Sequence, residues 1–164
     1  MTQPDQMTLW FEAHAAPLVL YAQQWLERGQ AEDAVQEVFV RLMLRARPPE
    51  NVKAWLYRAV RNRTISQWRA QQRRQAHERN RASNRADFDS ASTLWIDAQA
   101  VDDALENLSP QEREVVVLRT WGQMTLVEIS EIVGSSLTSV YRQYHQGLAV
   151  IRERLENPCK NKTP

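Results

Sequence analysis

Arg58, Arg61, Arg63, Arg69, Arg73 and Arg74 recur along one short stretch, with Trp55, Tyr57 and Trp68 interleaved. A guanidinium fork matches the oxygens of a phosphate, and an aromatic ring offers a face on which an unstacked base can stack. The chemistry these residues could do is therefore to hold single-stranded or opened nucleic acid. A solvated basic face with partly buried rings uses the same residue types, and Trp55 falls on the apolar side of the helix predicted there. The charge distribution favours the binding surface. Residues 41–85 hold thirteen Lys and Arg against two acids, a net +11, whereas residues 1–40 and 86–164 each carry −5, for a total of +1.

A second constellation lies at 125–146. Two short helices are predicted to meet at Gly134. Counting from Leu126, Ser130 stands fifth, Gly134 ninth and Val140 fifteenth. A helix-turn-helix needs a small residue at the crossing, a glycine in the turn and an apolar lock on the second helix. That second helix enters the major groove in such motifs. Opposite its predicted buried stripe stand Thr138, Ser139, Arg142, Gln143 and Gln146, polar groups suited to phosphates and base edges.

The third is a polar stripe, Asp33, Gln36, Glu37 and Arg41, at i, i+3, i+4 and i+8. By spacing alone it is an ordinary exposed helix face with a Glu37–Arg41 pair. Catalysis finds no support: His14, His77 and His145 are scattered, and no glycine-rich phosphate loop is present. No metal-type Cys/His cluster exists, and the single Cys159 cannot form an internal disulfide. No cofactor is implied.

Helices must position these groups. Gly is scarce (4) and helix formers abound among the 164 residues. Leu9, Trp10 and Ala13 open a short helix that Pro17 is expected to interrupt, with a second helix running from there to about Gly29. Ala31, Ala34, Val35, Val38, Phe39, Leu42 and Met43 follow helical spacing most closely, and Pro48 and Pro49 end that helix. The next runs from about Val52 past Trp68. Apolar residues nearly vanish from about Gln71 to Asp89, which reads as a flexible linker. A short helix follows through Val101, Ala104, Leu105 and Leu108. Two capping boxes, Ser109-Pro110-Gln111-Glu112 and Thr125-Leu126-Val127-Glu128, then open helices. The last helix is expected to bury Leu137, Val140, Tyr144, Leu148, Ile151 and Leu155. The fold class expected is all-α, with two small helical domains joined by a flexible linker. No apolar run reaches membrane-spanning length, and the start lacks the features of a signal peptide, so a cytosolic protein is expected.

Taken in order, these pieces resemble a sigma factor of the extracytoplasmic function (ECF) type, within the sigma-70 family. Ala31-Glu32-Asp33-Ala34-Val35-Gln36-Glu37-Val38-Phe39-Val40-Arg41-Leu42 is similar to its polymerase-binding helix. Ala54-Trp55-Leu56-Tyr57-Arg58-Ala59-Val60-Arg61-Asn62 is similar to its promoter-melting helix. Leu108-Ser109-Pro110-Gln111-Glu112-Arg113-Glu114-Val115 opens a segment similar to its second domain.

The resemblance implies a sigma-2-like bundle over 5–75, a linker over 76–97, a sigma-4-like helix-turn-helix domain over 98–157 and a tail over 158–164. It turns the polar stripe Asp33, Gln36, Glu37 and Arg41 into a face for core RNA polymerase. It assigns Asn51, Trp55, Tyr57, Arg58, Arg61, Asn62, Arg63, Trp68, Arg69, Arg73 and Arg74 to the −10 strand of promoter DNA. The loop before that helix, Arg47-Pro48-Pro49-Glu50-Asn51, would help select flipped bases. Thr138, Ser139, Tyr141, Arg142, Gln143 and Gln146 are assigned to the −35 duplex. An anti-sigma factor is a further implied partner. One departure stands out: Tyr141, Gln143, Gln146 and Leu148 occupy positions where the family often has Lys or Arg, leaving Arg142 the lone strong cation there. Two other readings stay open at this point. One is a helix-turn-helix regulator acting without polymerase; the other is an RNA-binding or adaptor protein that uses only the arginine-rich helix.

Overall fold

The computed structural model describes residues 4–79 and 105–156. Its contacts divide the chain into two units, Met1–Ala86 and Asp87–Pro164. All regular structure among the described residues is helical, and no helix among them is long and apolar enough to cross a membrane.

The first unit contains α1 (Pro4–Ala22), α2 (Arg28–Met43) and α3 (Val52–Arg79), each packed on the other two. Contrary to expectation, α1 runs unbroken through Pro17. Proline removes one backbone hydrogen bond, to Ala13, and strains the preceding turn. Ala13 itself is exposed. Packing on either side of the proline keeps the helix continuous through it. Phe11 meets Phe39 edge-on at 5.0 Å, and Leu18, Tyr21 and Ala22 are fully buried. The helix then ends at Ala22, and Gly29 lies inside α2 rather than closing the helix before it.

Helix α2 buries Ala31, Ala34, Val35, Val38, Phe39 and Leu42. Met43, expected on that stripe, is 45% exposed. Helix α3 adds Leu56, Tyr57, Val60 and Thr64 to the core. Each large apolar side chain so buried contributes roughly 1.5–3 kcal/mol. The Thr64 hydroxyl is not left unsatisfied: its Oγ1 donates to the Arg61 carbonyl at 3.1 Å. Helix α3 continues to Arg79, so its last turn occupies the beginning of the segment read as linker. The rest of 76–97, Val101 and Ala104 of the predicted short helix, and the tail at 158–164 lie outside the described residues.

The second unit contains α4 (Pro110–Thr120), α5 (Leu126–Val133) and α6 (Leu137–Glu156). Both predicted capping boxes are present. Glu112 N–H donates to Ser109 Oγ while the Glu112 carboxylate accepts from Ser109 N–H, and Thr125 and Glu128 repeat the arrangement. Leu108, Val115–Leu118, Met124, Ile129, Ile132 and Val140 form the core. Leu137 and Leu155, expected in the stripe of α6, are 48% and 55% exposed. Buried Gly147 lies at the α4–α6 crossing instead. A Cβ on it would fall 2.8 Å from Val116 Cγ2, so α4 approaches closely only because no side chain intervenes.

Candidate nucleic-acid interface

Helix α3 turns its core residues one way and a basic face the other. Arg58, Asn62, Arg69 and Arg73 are all exposed. Their spacings of four, seven and four residues place them on one side of a helix with 3.6 residues per turn. Arg61, Asn62, Ile65, Ser66, Arg69 and Arg73 line a shared groove along that side. Trp68 flanks it at 39% exposure, and Arg74 is exposed on the other flank.

Several of the residues assigned to the strand have contacts of their own. Asn51 caps α3: its Oδ1 accepts from Ala54 N–H at 2.9 Å. Trp55 is half-buried, with the Arg45 guanidinium 5.3 Å from its ring centroid, a cation–π geometry. Tyr57 is a correction. It is 2% exposed, its ring meets Tyr21 edge-on at 5.4 Å, and burial raises its hydroxyl pKa. No ring face is open to a base. It reads as strand-facing in sequence because it sits beside Arg58, yet the rotation of about 100° between consecutive helical residues turns it from that exposed side into the core. Arg63 turns toward α2, where its Nε donates to Glu37 Oε2 at 2.6 Å.

On α2 the residues Asp33, Gln36, Glu37 and Arg41 are all exposed. Glu37 pairs with Arg63 rather than with Arg41. Two residues missed in the sequence share this face. Val40 and Leu44 follow Asp33, Gln36 and Glu37 at helical spacing and are 47% and 78% exposed. Together they give the polar stripe an apolar component; that spacing was the available signal.

In the second unit, α5 ends at Gly134 in the left-handed conformation (φ 72°), and the amides of Gly134 and Ser135 donate to the Ser130 carbonyl. Ser136 Oγ then accepts from Ser139 N–H at 3.2 Å and caps α6. Thr138, Tyr141, Arg142 and Gln146 project outward, while Ser139 and Gln143 are half-buried. His145 shares the outward face, exposed and in tilted ring contact with Tyr141, the centroids 4.2 Å apart and the planes at 51°. It stands seven residues after Thr138 and three after Arg142, a spacing that could have identified it. Other arginines of this unit are engaged internally. Arg113 donates to the carbonyls of Leu105 and Glu106, Arg119 to that of Met124, and Arg154 to Asn107 Oδ1. No cluster of His, Cys, Asp and Glu that could hold a metal ion occurs among the described residues.

A helix-turn-helix in one unit and a basic helical groove in the other define the class: an all-helical protein that pairs a helix-turn-helix with a basic helix. Residues 10–74 match the family described as Sigma-70 region 2, and residues 98–151 match Sigma-70, region 4. The RNA polymerase sigma-E factor of Streptomyces coelicolor is 30% identical over 128 residues, covering 76% of this chain and 71% of that one. Its counterpart in Streptomyces avermitilis is 33% identical over 104 residues, covering 63% of this chain and 57% of the relative's length. The ECF RNA polymerase sigma factor SigK of Mycobacterium tuberculosis is 23% identical over 141 residues, covering 79% and 74%. Among solved structures, the sigma factor RpoE in complex with the anti-sigma factor NepR, from Bartonella quintana, superposes with a TM-score of 0.74 at 21% identity. That match covers 94% of this chain and 98% of the other. CnrH in complex with the cytosolic domain of CnrY gives a TM-score of 0.65 at 21% identity, covering 94% and 90%. The chain belongs to the ECF sigma factors of the sigma-70 family.

Proposed function

We propose that this protein binds core RNA polymerase, directs it to a subset of promoters and helps open the DNA there. In this reading residues 5–75 form the unit for core binding and −10 strand capture, and 98–157 the unit for −35 reading. Asp33, Gln36, Glu37 and Arg41, joined by Val40 and Leu44, are the docking face for polymerase. Arg58, Asn62, Arg69 and Arg73 hold the strand along the groove of α3. Arg61 lines the same groove, Arg74, Trp55 and Trp68 flank it, and Asn51 acts through its cap at the start of α3. Thr138, Ser139, Tyr141, Arg142, Gln143, Gln146 and His145 form the duplex-reading face of α6. The chain carries no catalytic step and works in the cytosol beside the chromosome.

The observation that carries this reading is the exposed basic side of α3, concentrated in a protein whose flanks are acidic. Phosphate contacts of this kind supply most nucleic-acid affinity without reading sequence, and flipped bases cost a few kcal/mol that strand contacts offset. Because α6 offers one arginine on its outward reading face, duplex reading alone is weak, and promoter choice depends on polymerase. An anti-sigma factor is a proposed partner, supported by the complex in which the Bartonella quintana relative was solved.

The test is runoff transcription with core polymerase on a genomic promoter library, run beside duplex binding without core. Promoter-specific initiation that appears only when core and this protein are combined supports the reading. Tight specific duplex binding without core, and no specific transcripts with it, favours a polymerase-independent regulator.

A further inference from the structure

We propose that the Glu37–Arg63 ion pair couples polymerase docking by α2 to strand capture by α3, each partner competing for one half of the pair. The inference rests on the assignment of those two faces given above. Arg63 Nε donates to Glu37 Oε2 at 2.6 Å across 26 positions of sequence, with side chains 36% and 46% exposed. The contact is thus formed at the surface, within reach of an incoming macromolecule on either side. Glu37 lies between Asp33 and Val40 on the outward face of α2. Arg63 stands on α3 one residue after Asn62 and three before Ser66, both of which line the groove shared with Arg61, Arg69 and Arg73.

In the free protein the pair holds a phosphate-binding guanidinium away from nucleic acid and neutralises a carboxylate of the docking face. A cation on a docked polymerase surface that takes the Glu37 carboxylate leaves Arg63 to swing onto the strand's phosphates. A phosphate that takes Arg63 leaves Glu37 to the polymerase. Coupling between two binding events is reciprocal by thermodynamic necessity. An exposed pair is a weak contact, so the coupling is a modest bias rather than a lock. Its use is to disfavour strand binding by the protein before polymerase is present.

The test uses the full chain and four variants: Arg63→Gln, Glu37→Gln, the double substitution and Asp33→Lys. Two affinities are read, one for core polymerase and one for a labelled mixed-sequence DNA single strand without polymerase. Arg63→Gln is expected to tighten core binding roughly two- to fivefold, by freeing Glu37. Glu37→Gln is expected to tighten strand binding by a similar factor. In the Glu37→Gln background, adding Arg63→Gln is expected to leave core affinity unchanged. If Asp33→Lys weakens core binding while Arg63→Gln leaves it unchanged or lowers it, the coupling is wrong and the docking face stands. If Asp33→Lys leaves core binding unchanged, the docking face lies elsewhere and the coupling falls with it.

Discussion

The Arg45 guanidinium lies 5.3 Å from the centroid of the Trp55 ring, so the loop after α2 is pinned to the first turn of α3. The Trp55 ring is half-buried and keeps part of its surface open to solvent. Tyr57, two residues on, is sealed in the core against Tyr21.

The two rings therefore respond differently to substitution. Trp55→Ala is expected to weaken binding of the non-template strand by the holoenzyme by about tenfold or more, since stacking is worth about 1–3 kcal/mol per base. Arg45→Ala is expected to have a smaller effect in the same direction. Tyr57→Phe is expected to leave strand affinity unchanged. Fluorescence anisotropy with a labelled promoter strand measures all three.

Val40 and Leu44 expose apolar surface on the face that carries Asp33, Gln36 and Glu37. Leu44→Asp is expected to weaken core polymerase binding by about tenfold, the scale of one buried aliphatic side chain. The thermal midpoint of the free protein is expected to fall only slightly, because Leu44 is 78% exposed and the cost is that of a carboxylate at the C-terminal end of α2. Competition between variant and wild-type protein for core polymerase reads the first effect, and a melting curve the second.

Two of the second unit's three glycines, Gly147 and Gly134, predict two kinds of damage. At Gly147 any side chain collides with Val116, so Gly147→Leu is expected to destabilise the unit by about 1–3 kcal/mol. At Gly134 an added Cβ meets nothing within 4 Å, but φ is 72°. Gly134→Ala is expected to cost about 1 kcal/mol, from the backbone alone. Urea denaturation followed by circular dichroism distinguishes the two magnitudes.

His14 gives the first unit a pH dependence. Burial first, and then the Lys53 ammonium, hold its pKa below the ordinary 6.5. The unfolded chain therefore binds a proton more readily than the folded one. Stability is complete above about 6.5 and is lost as pH falls through the lower folded value. The urea midpoint is expected to drop between about pH 7.5 and about pH 5, and His14→Gln is expected to show a smaller drop.

What the sequence discloses about this chain is what short-range physics decides. Ser109–Glu112 and Thr125–Glu128 are visible because each capping box closes within one helical turn. Gly134 is visible because a left-handed turn strongly favours glycine. Pro17 misleads because its local penalty is overcome by the burial of Leu18, Tyr21 and Phe39, which only the packed unit reveals. Gly147 escapes notice because its role depends on Val116 of another helix. The Glu37–Arg63 pair joins residues on separate helices, while the nearer Glu37–Arg41 spacing offers a plausible local partner. At the site, the basic face of α3 is legible as charge. Which of its members face outward is not, since Tyr57 and Arg63 leave that face through rotation about the helix axis.

Promoter opening by holoenzyme carrying Arg58→Ala and Arg69→Ala, measured at saturating core polymerase, tests the central claim most directly. Each lost charge-assisted contact is worth about 1.5–3 kcal/mol. The account predicts that open-complex formation falls by about tenfold or more, with core affinity unchanged. Normal opening by this variant would contradict it, because the strand would then be held by some surface other than α3.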